Sequence, residues 1–132
     1  MYLGDFAVGE TLHHKFTTRR FSTGVPFTLA GTPTVSAYED DSLTQITAGI
    51  TLTADFDGVV GLNHLAIVAT GANGFETGKH YALVITAGTV DSVSVVGEVV
   101  GIFTLEQSDK AGFSLAVGGV VAGAIAAAWP AP

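Results

Sequence analysis

Short runs in which apolar and polar side chains alternate, cut at close intervals by turn-forming residues, constrain this chain more than any other feature. In "ITLTADF", Ile50, Leu52, Ala54 and Phe56 fall on one face and Thr51, Thr53 and Asp55 on the other, the period of two that a half-buried strand requires. "KHYALVITAGTV" repeats the pattern with Tyr81, Leu83 and Ile85 on one side. "DSVSVVGEVVGIFTLE" does so at Val93, Val95, Val99, Phe103 and Leu105, with Gly97 and Gly101 predicting a bulge or a close backbone approach. "ETLHHKFTTR" sets Leu12, His14 and Phe16 against Thr11, His13 and Lys15. Between the runs stand "STGVP", "AGTP", "EDDS", "DFDG" and "TGANG", in which Gly supplies positive φ and Asp, Asn and Ser bond their own backbone. Roughly seven short strands with little helical periodicity predict an all-β fold, an antiparallel immunoglobulin-like β-sandwich.

A length of 132 residues fits one domain. The composition shifts after Gln107, so the sandwich is expected over residues 1–107 and a short apolar, Gly/Ala-rich C-terminal extension over 108–132. That extension contains "GFSLAVGGVVAGAIAAAW", residues 112–129, without a charge. Its length approaches a bilayer span, and Gly119 and Gly123 form a GxxxG pair. Its bulk is Gly, Ala and Val, however, and the large apolar groups that drive insertion are few. Lys110 is the one nearby cation. Packing against a neighbouring subunit is therefore expected in place of a membrane, with "AIAAAW" as a short helix stopped by Pro130. A trimmed portion of a longer modular protein is the other reading of the same segment.

Charge and cysteine content narrow the function classes. Five Lys and Arg against twelve Asp and Glu give a net charge of −7, the wrong balance for a phosphate backbone. Only Arg19 and Arg20 are adjacent, so no nucleic-acid partner is expected. With no cysteine there is neither a disulfide framework nor a thiolate site. "MYLGDFAVGE" lacks a basic region followed by an apolar one, and synthesis in a cytoplasm without the general secretion route is expected. Charged residues are only 13% of the chain, which favours a surface covered by partners.

Motifs of catalysis are sparse. Neighbouring His13 and His14 point to opposite faces of a strand, so a metal would need the fold to bring His64 or His80 to one of them. Asp55 and Asp57 of "DFDG" and the acids Glu39, Asp40 and Asp41 would supply calcium ligands if the two turns met. Turn chemistry explains the same residues, and no metal or other cofactor is expected. The sequence has no GxSxG, P-loop, HExxH or GxGxxG signature, and "GANG" at 71–74 reads as a hairpin turn and not a phosphate cradle, so a non-enzymatic role is expected.

"YLGDF", "KFTTR", "TLAGTPTVSAYEDDSLTQITAGITLTADFDGVVGLNHLAI" and "YALVITAGTVDSVSVVGEVVGIFTLE", over residues 2–106, resemble a group of tailed-bacteriophage virion proteins. They are more distantly similar to the N-terminal domains of siphophage baseplate upper proteins. The resemblance implies a structural protein of the virion, assembled in the host cytoplasm, as a tail or fibre-attachment component. A capsid decoration or cement protein and a host-surface carbohydrate-binding module are the alternatives. The expected partners are other virion proteins, and a homotrimer or higher symmetric oligomer is expected. The expected assembly interface comprises Tyr2, Leu3 and Phe6 near the start, and Phe113, Leu115, Val120, Val121, Ile125 and Trp129 in the extension.

Overall fold

The computed structural model describes residues 1–106. They form nine strands: β1 (Tyr2–Phe6), β2 (Thr11–Thr17), β3 (Leu29–Glu39), β4 (Gln45–Ile46), β5 (Ile50–Thr53), β6 (Leu62–Val68), β7 (His80–Val90), β8 (Val93–Ser94) and β9 (Val99–Leu105). One sheet has the order β1-β9-β7-β3-β4, with β8 paired to the end of β7, and the other has the order β2-β6-β5. All pairs are antiparallel except β1, which runs parallel to β9. The protein is thus an all-β sandwich. Its division of strands between sheets is that of an immunoglobulin-like domain, with the second, sixth and fifth strands facing the third, seventh and ninth.

The alternation seen in the sequence places the core. On β2, Leu12, His14 and Phe16 are buried while Thr11, His13 and Lys15 are exposed. On β7, Tyr81, Leu83 and Ile85 are fully buried. Tyr81 stacks on Phe103 at 5.2 Å between centroids and meets Phe75 at 5.0 Å, an aromatic cluster between the sheets. The Tyr81 hydroxyl accepts a hydrogen bond from the Glu76 backbone N–H at 2.7 Å and donates one to Glu39 Oε1 at 2.7 Å. A tyrosine at the start of this strand, bonded back to the backbone just upstream, is the tyrosine corner of immunoglobulin-like sandwiches. Here it clamps the crossover between the sheets. Burial, and next the bond to Glu39, push the phenol's pKa well above its ordinary value.

Three local expectations are corrected. β5 stops at Thr53, because Asp55 takes a left-handed conformation (φ 49°) and a 3-10 turn follows over Phe56–Gly58. Asp55 Oδ2 accepts from Thr28 Oγ1 and Oδ1 from Gly61 N–H, and Phe56 is turned beside His64 and does not continue the strand pattern. The last run breaks in two at a turn, leaving Val93 and Val99 about half exposed while Phe103 and Leu105 are fully buried. "GANG" is a 3-10 turn capped by Thr70; it joins β6 to β7 across the two sheets, so it is a crossover and not a hairpin. Gly101 is borne out on both counts: the register shifts between its pair with Leu83 and the next, and an added Cβ would lie 2.8 Å from Leu3 Cδ1.

Candidate functional site

A cleft of about 700 Å³ opens between the two sheets where β2 ends and β9 begins. Its floor is core apolar surface, including Phe16, Leu62, Ile85 and Val90. Met1, Phe21 and Val99 stand at its edge with half or more of their surface exposed. Lys15, Arg19 and Arg20 line it as well, with Glu98 as the one acid. No acid occurs between Glu10 and Glu39, and residues 13–20 hold three of the chain's five Lys and Arg. Lys15 turns its ammonium to the outer face of β2, so the adjacent pair Arg19 and Arg20 supplies the cationic edge of the cleft.

The cations are held in place. Arg20 lies over the Phe27 ring at 4.2 Å, and its Nε is 3.2 Å from Asp91 Oδ2, though the N–H does not point at the carboxylate. Arg19 Nη1 donates to the Gly24 carbonyl at 3.1 Å. Lys15 sits 4.4 Å above the Phe56 ring and donates to His64 Nδ1 at 3.1 Å. The cleft therefore presents an apolar edge of Met1, Phe21 and Val99 beside the Arg19 and Arg20 guanidiniums, on a chain that is acidic overall.

The fold brings His13 and His64 together on the outer face of the β2-β6-β5 sheet, with His13 Nδ1 3.3 Å from His64 Nε2. Since Lys15 donates to His64 Nδ1, the neutral His64 carries its proton on Nε2 and donates to His13. Burial, then the Lys15 charge and then the neighbouring imidazoles His13 and His14, lower the His64 pKa. His14 points the other way, its Nε2 donating to the Val100 carbonyl at 2.7 Å across the sandwich. His80 lies apart at the start of β7. Among the described residues no group of three or more His, Cys, Asp or Glu is placed to hold a metal. Asp55 sits beside Thr28 at the start of β3 and Glu39 at its end, so the two acidic turns do not meet.

The opposite end of the sandwich is acidic. Asp5, Glu10, Glu39, Asp40, Asp41, Glu76 and Glu106 gather there around the ends of β1, β3 and β9 and the start of β7. Lys79 pairs with Asp40 at 3.6 Å, and the Asp40 carboxylate also accepts from His80 N–H. The loop after β3 carries Leu43 at its tip with 94% of its surface exposed. The acids of "EDDS" read in the sequence as turn residues or calcium ligands, and Leu43 is not among the expected site residues; an apolar residue at the tip of an acidic turn is the signal that points to it.

Of the expected interface residues, Tyr2 is 57% exposed on β1, while Leu3 and Phe6 are partly buried and pack against the core of their own chain. The Tyr2 hydroxyl donates to Asp5 Oδ1 and lies 3.2 Å from Thr104 Oγ1. Phe113, Leu115, Val120, Val121, Ile125 and Trp129 lie outside the described residues, as does the Gly119/Gly123 pair. No helix among the described residues is long and apolar enough to cross a membrane. Comparison with protein-family models, curated proteins and solved structures finds no match to this chain.

Proposed function

We propose that this chain is a non-enzymatic structural protein of a bacteriophage virion, a tail or fibre-attachment component that works by docking. The observation that carries the reading is the two-ended sandwich: an apolar, cation-lined cleft at one end and an acidic end with an exposed leucine at the other. Apolar groups left on a folded surface at roughly 25 cal/mol per Å² favour burial in a partner, and opposite charges at the two ends give such contacts orientation. The likeness of residues 2–106 to tailed-phage virion proteins supports the same reading.

Capsid decoration draws on the same surfaces and differs in location and copy number. The carbohydrate-binding alternative needs exposed rings on which sugars stack. Tyr81 is buried and Tyr38 half-buried, leaving Tyr2 and Phe21, on separate elements, as the exposed Tyr and Phe among the described residues. Immunogold electron microscopy of purified particles with an antibody to the sandwich tests the proposal. Label on the tail or fibre base is expected; label spread over the capsid favours decoration, and unlabelled particles overturn the virion assignment.

A further inference from the structure

We infer that copies of this chain join head to tail, the acidic loop after β3 of one copy entering the cleft between the sheets of the next. The inference rests on the structural reading above and names the partner as a second copy of the same chain.

Three observations carry it. The two surfaces are complementary in charge: Arg19 and Arg20 line the cleft, and Asp40 and Asp41 stand just before the loop tip. Asp40 is already paired with Lys79, whereas among the described residues Asp41 forms no salt bridge. The surfaces are also complementary in shape and polarity. Leu43 projects from the loop almost fully exposed, and Met1, Phe21 and Val99 expose apolar surface at the edge of a cleft with room for a loop tip. An apolar side chain buried at the centre of a contact, with charged groups at its rim, is the usual anatomy of an interface.

The two surfaces also sit at opposite ends of the sandwich. The loop begins where Glu39 pairs with Tyr81 near the start of β7, while Val90 at the end of β7 lines the cleft. The eleven residues of β7 separate them by about 33 Å. One copy cannot satisfy its own cleft with its own loop. A contact between different surfaces repeats from copy to copy, closing into a ring or running on as a filament according to the rotation it imposes.

Full-length chains with complementary defects test this. Leu43→Asp spoils the loop and leaves the cleft; the pair Arg19→Glu and Val99→Glu spoils the cleft and leaves the loop. Light scattering after gel filtration should find the unsubstituted chain in concentration-dependent assemblies larger than a dimer, weakened by added salt. Each variant alone should associate about tenfold or more weakly. An equimolar mixture should form a species that stops at one copy of each, since one intact loop meets one intact cleft and neither remaining surface can extend the chain. That recovery itself establishes that both variants fold. Overturning results are an unsubstituted chain that stays monomeric, variants that assemble like it, or a mixture that stays monomeric although both variants melt cooperatively near the unsubstituted chain. The last is expected if the chain's own residues 107–132 or a different virion protein fill the cleft. Immunogold labelling is read independently: labelled particles with a monomeric chain overturn the head-to-tail contact alone, and head-to-tail assembly with unlabelled particles overturns the virion assignment alone.

Discussion

Replacing Tyr81 by Phe removes one oxygen from the centre of the sandwich and nothing else. That oxygen accepts from the Glu76 N–H and donates to the Glu39 carboxylate, each at 2.7 Å, in a residue with no exposed surface. A neutral hydrogen bond contributes about 1 kcal/mol and one to a charged group about 1.5–3 kcal/mol. Because Glu39 is half-buried, its carboxylate regains some water, which holds the total near 3 kcal/mol. The ring keeps its packing on Phe75 and Phe103, so no cavity adds to the loss. For a domain of this size the melting temperature should fall by roughly 10–20 °C. Urea unfolding followed by far-UV circular dichroism should show a lower midpoint at an unchanged slope. Combining the change with Glu39→Gln should be less than additive, as for two partners in one bond. A loss below about 1 kcal/mol would refute the claim that this hydroxyl clamps the crossover between sheets.

Other perturbations have equally definite outcomes. Since the folded state holds the Tyr81 proton more tightly than the unfolded chain, whose phenol has the ordinary value of 10.0, stability should fall as pH rises past that value, and Tyr81→Phe should remove this component of the alkaline slope. His64 is shifted the other way, so the unfolded chain takes up its proton first and this group's contribution is lost as pH falls through 6.5. Lys15→Met should raise the His64 midpoint back toward 6.5 in an NMR titration of the imidazole resonances, and an unchanged midpoint would exclude Lys15 as a cause. Gly61 has φ +83°, and an added Cβ would lie 2.8 Å from the Phe27 backbone nitrogen and 2.9 Å from the Thr18 carbonyl oxygen. Gly61→Ala should therefore cost about 3 kcal/mol in the same urea assay, from backbone strain together with the clash. A neutral result would show that the loop yields.

The strands whose two faces meet different surroundings were legible from alternation. β2 and β7 read out residue by residue because each has one face on the core. Phe56 and Val99 did not, since a left-handed Asp55 and the turn before β9 reset the parity, and such resets depend on tertiary hydrogen bonds. The parallel pairing of β1 with β9 joins residues about a hundred positions apart, a distance over which local pattern carries no information. The surface clusters follow the same rule. That His13 and His14 face opposite ways was readable from strand parity, but the approach of His64 to His13 needed the β2–β6 register. The cleft was least legible, being built from the ends of strands in two sheets.

The virion assignment is tested most directly by counting this chain in purified phage particles by quantitative mass spectrometry, scaled to the major capsid protein. A tail or fibre-attachment role predicts a few to a few dozen copies per particle, in a ratio set by the symmetry of the tail. Near-stoichiometric copies would replace that role with capsid decoration, and complete absence from the particles would contradict the account.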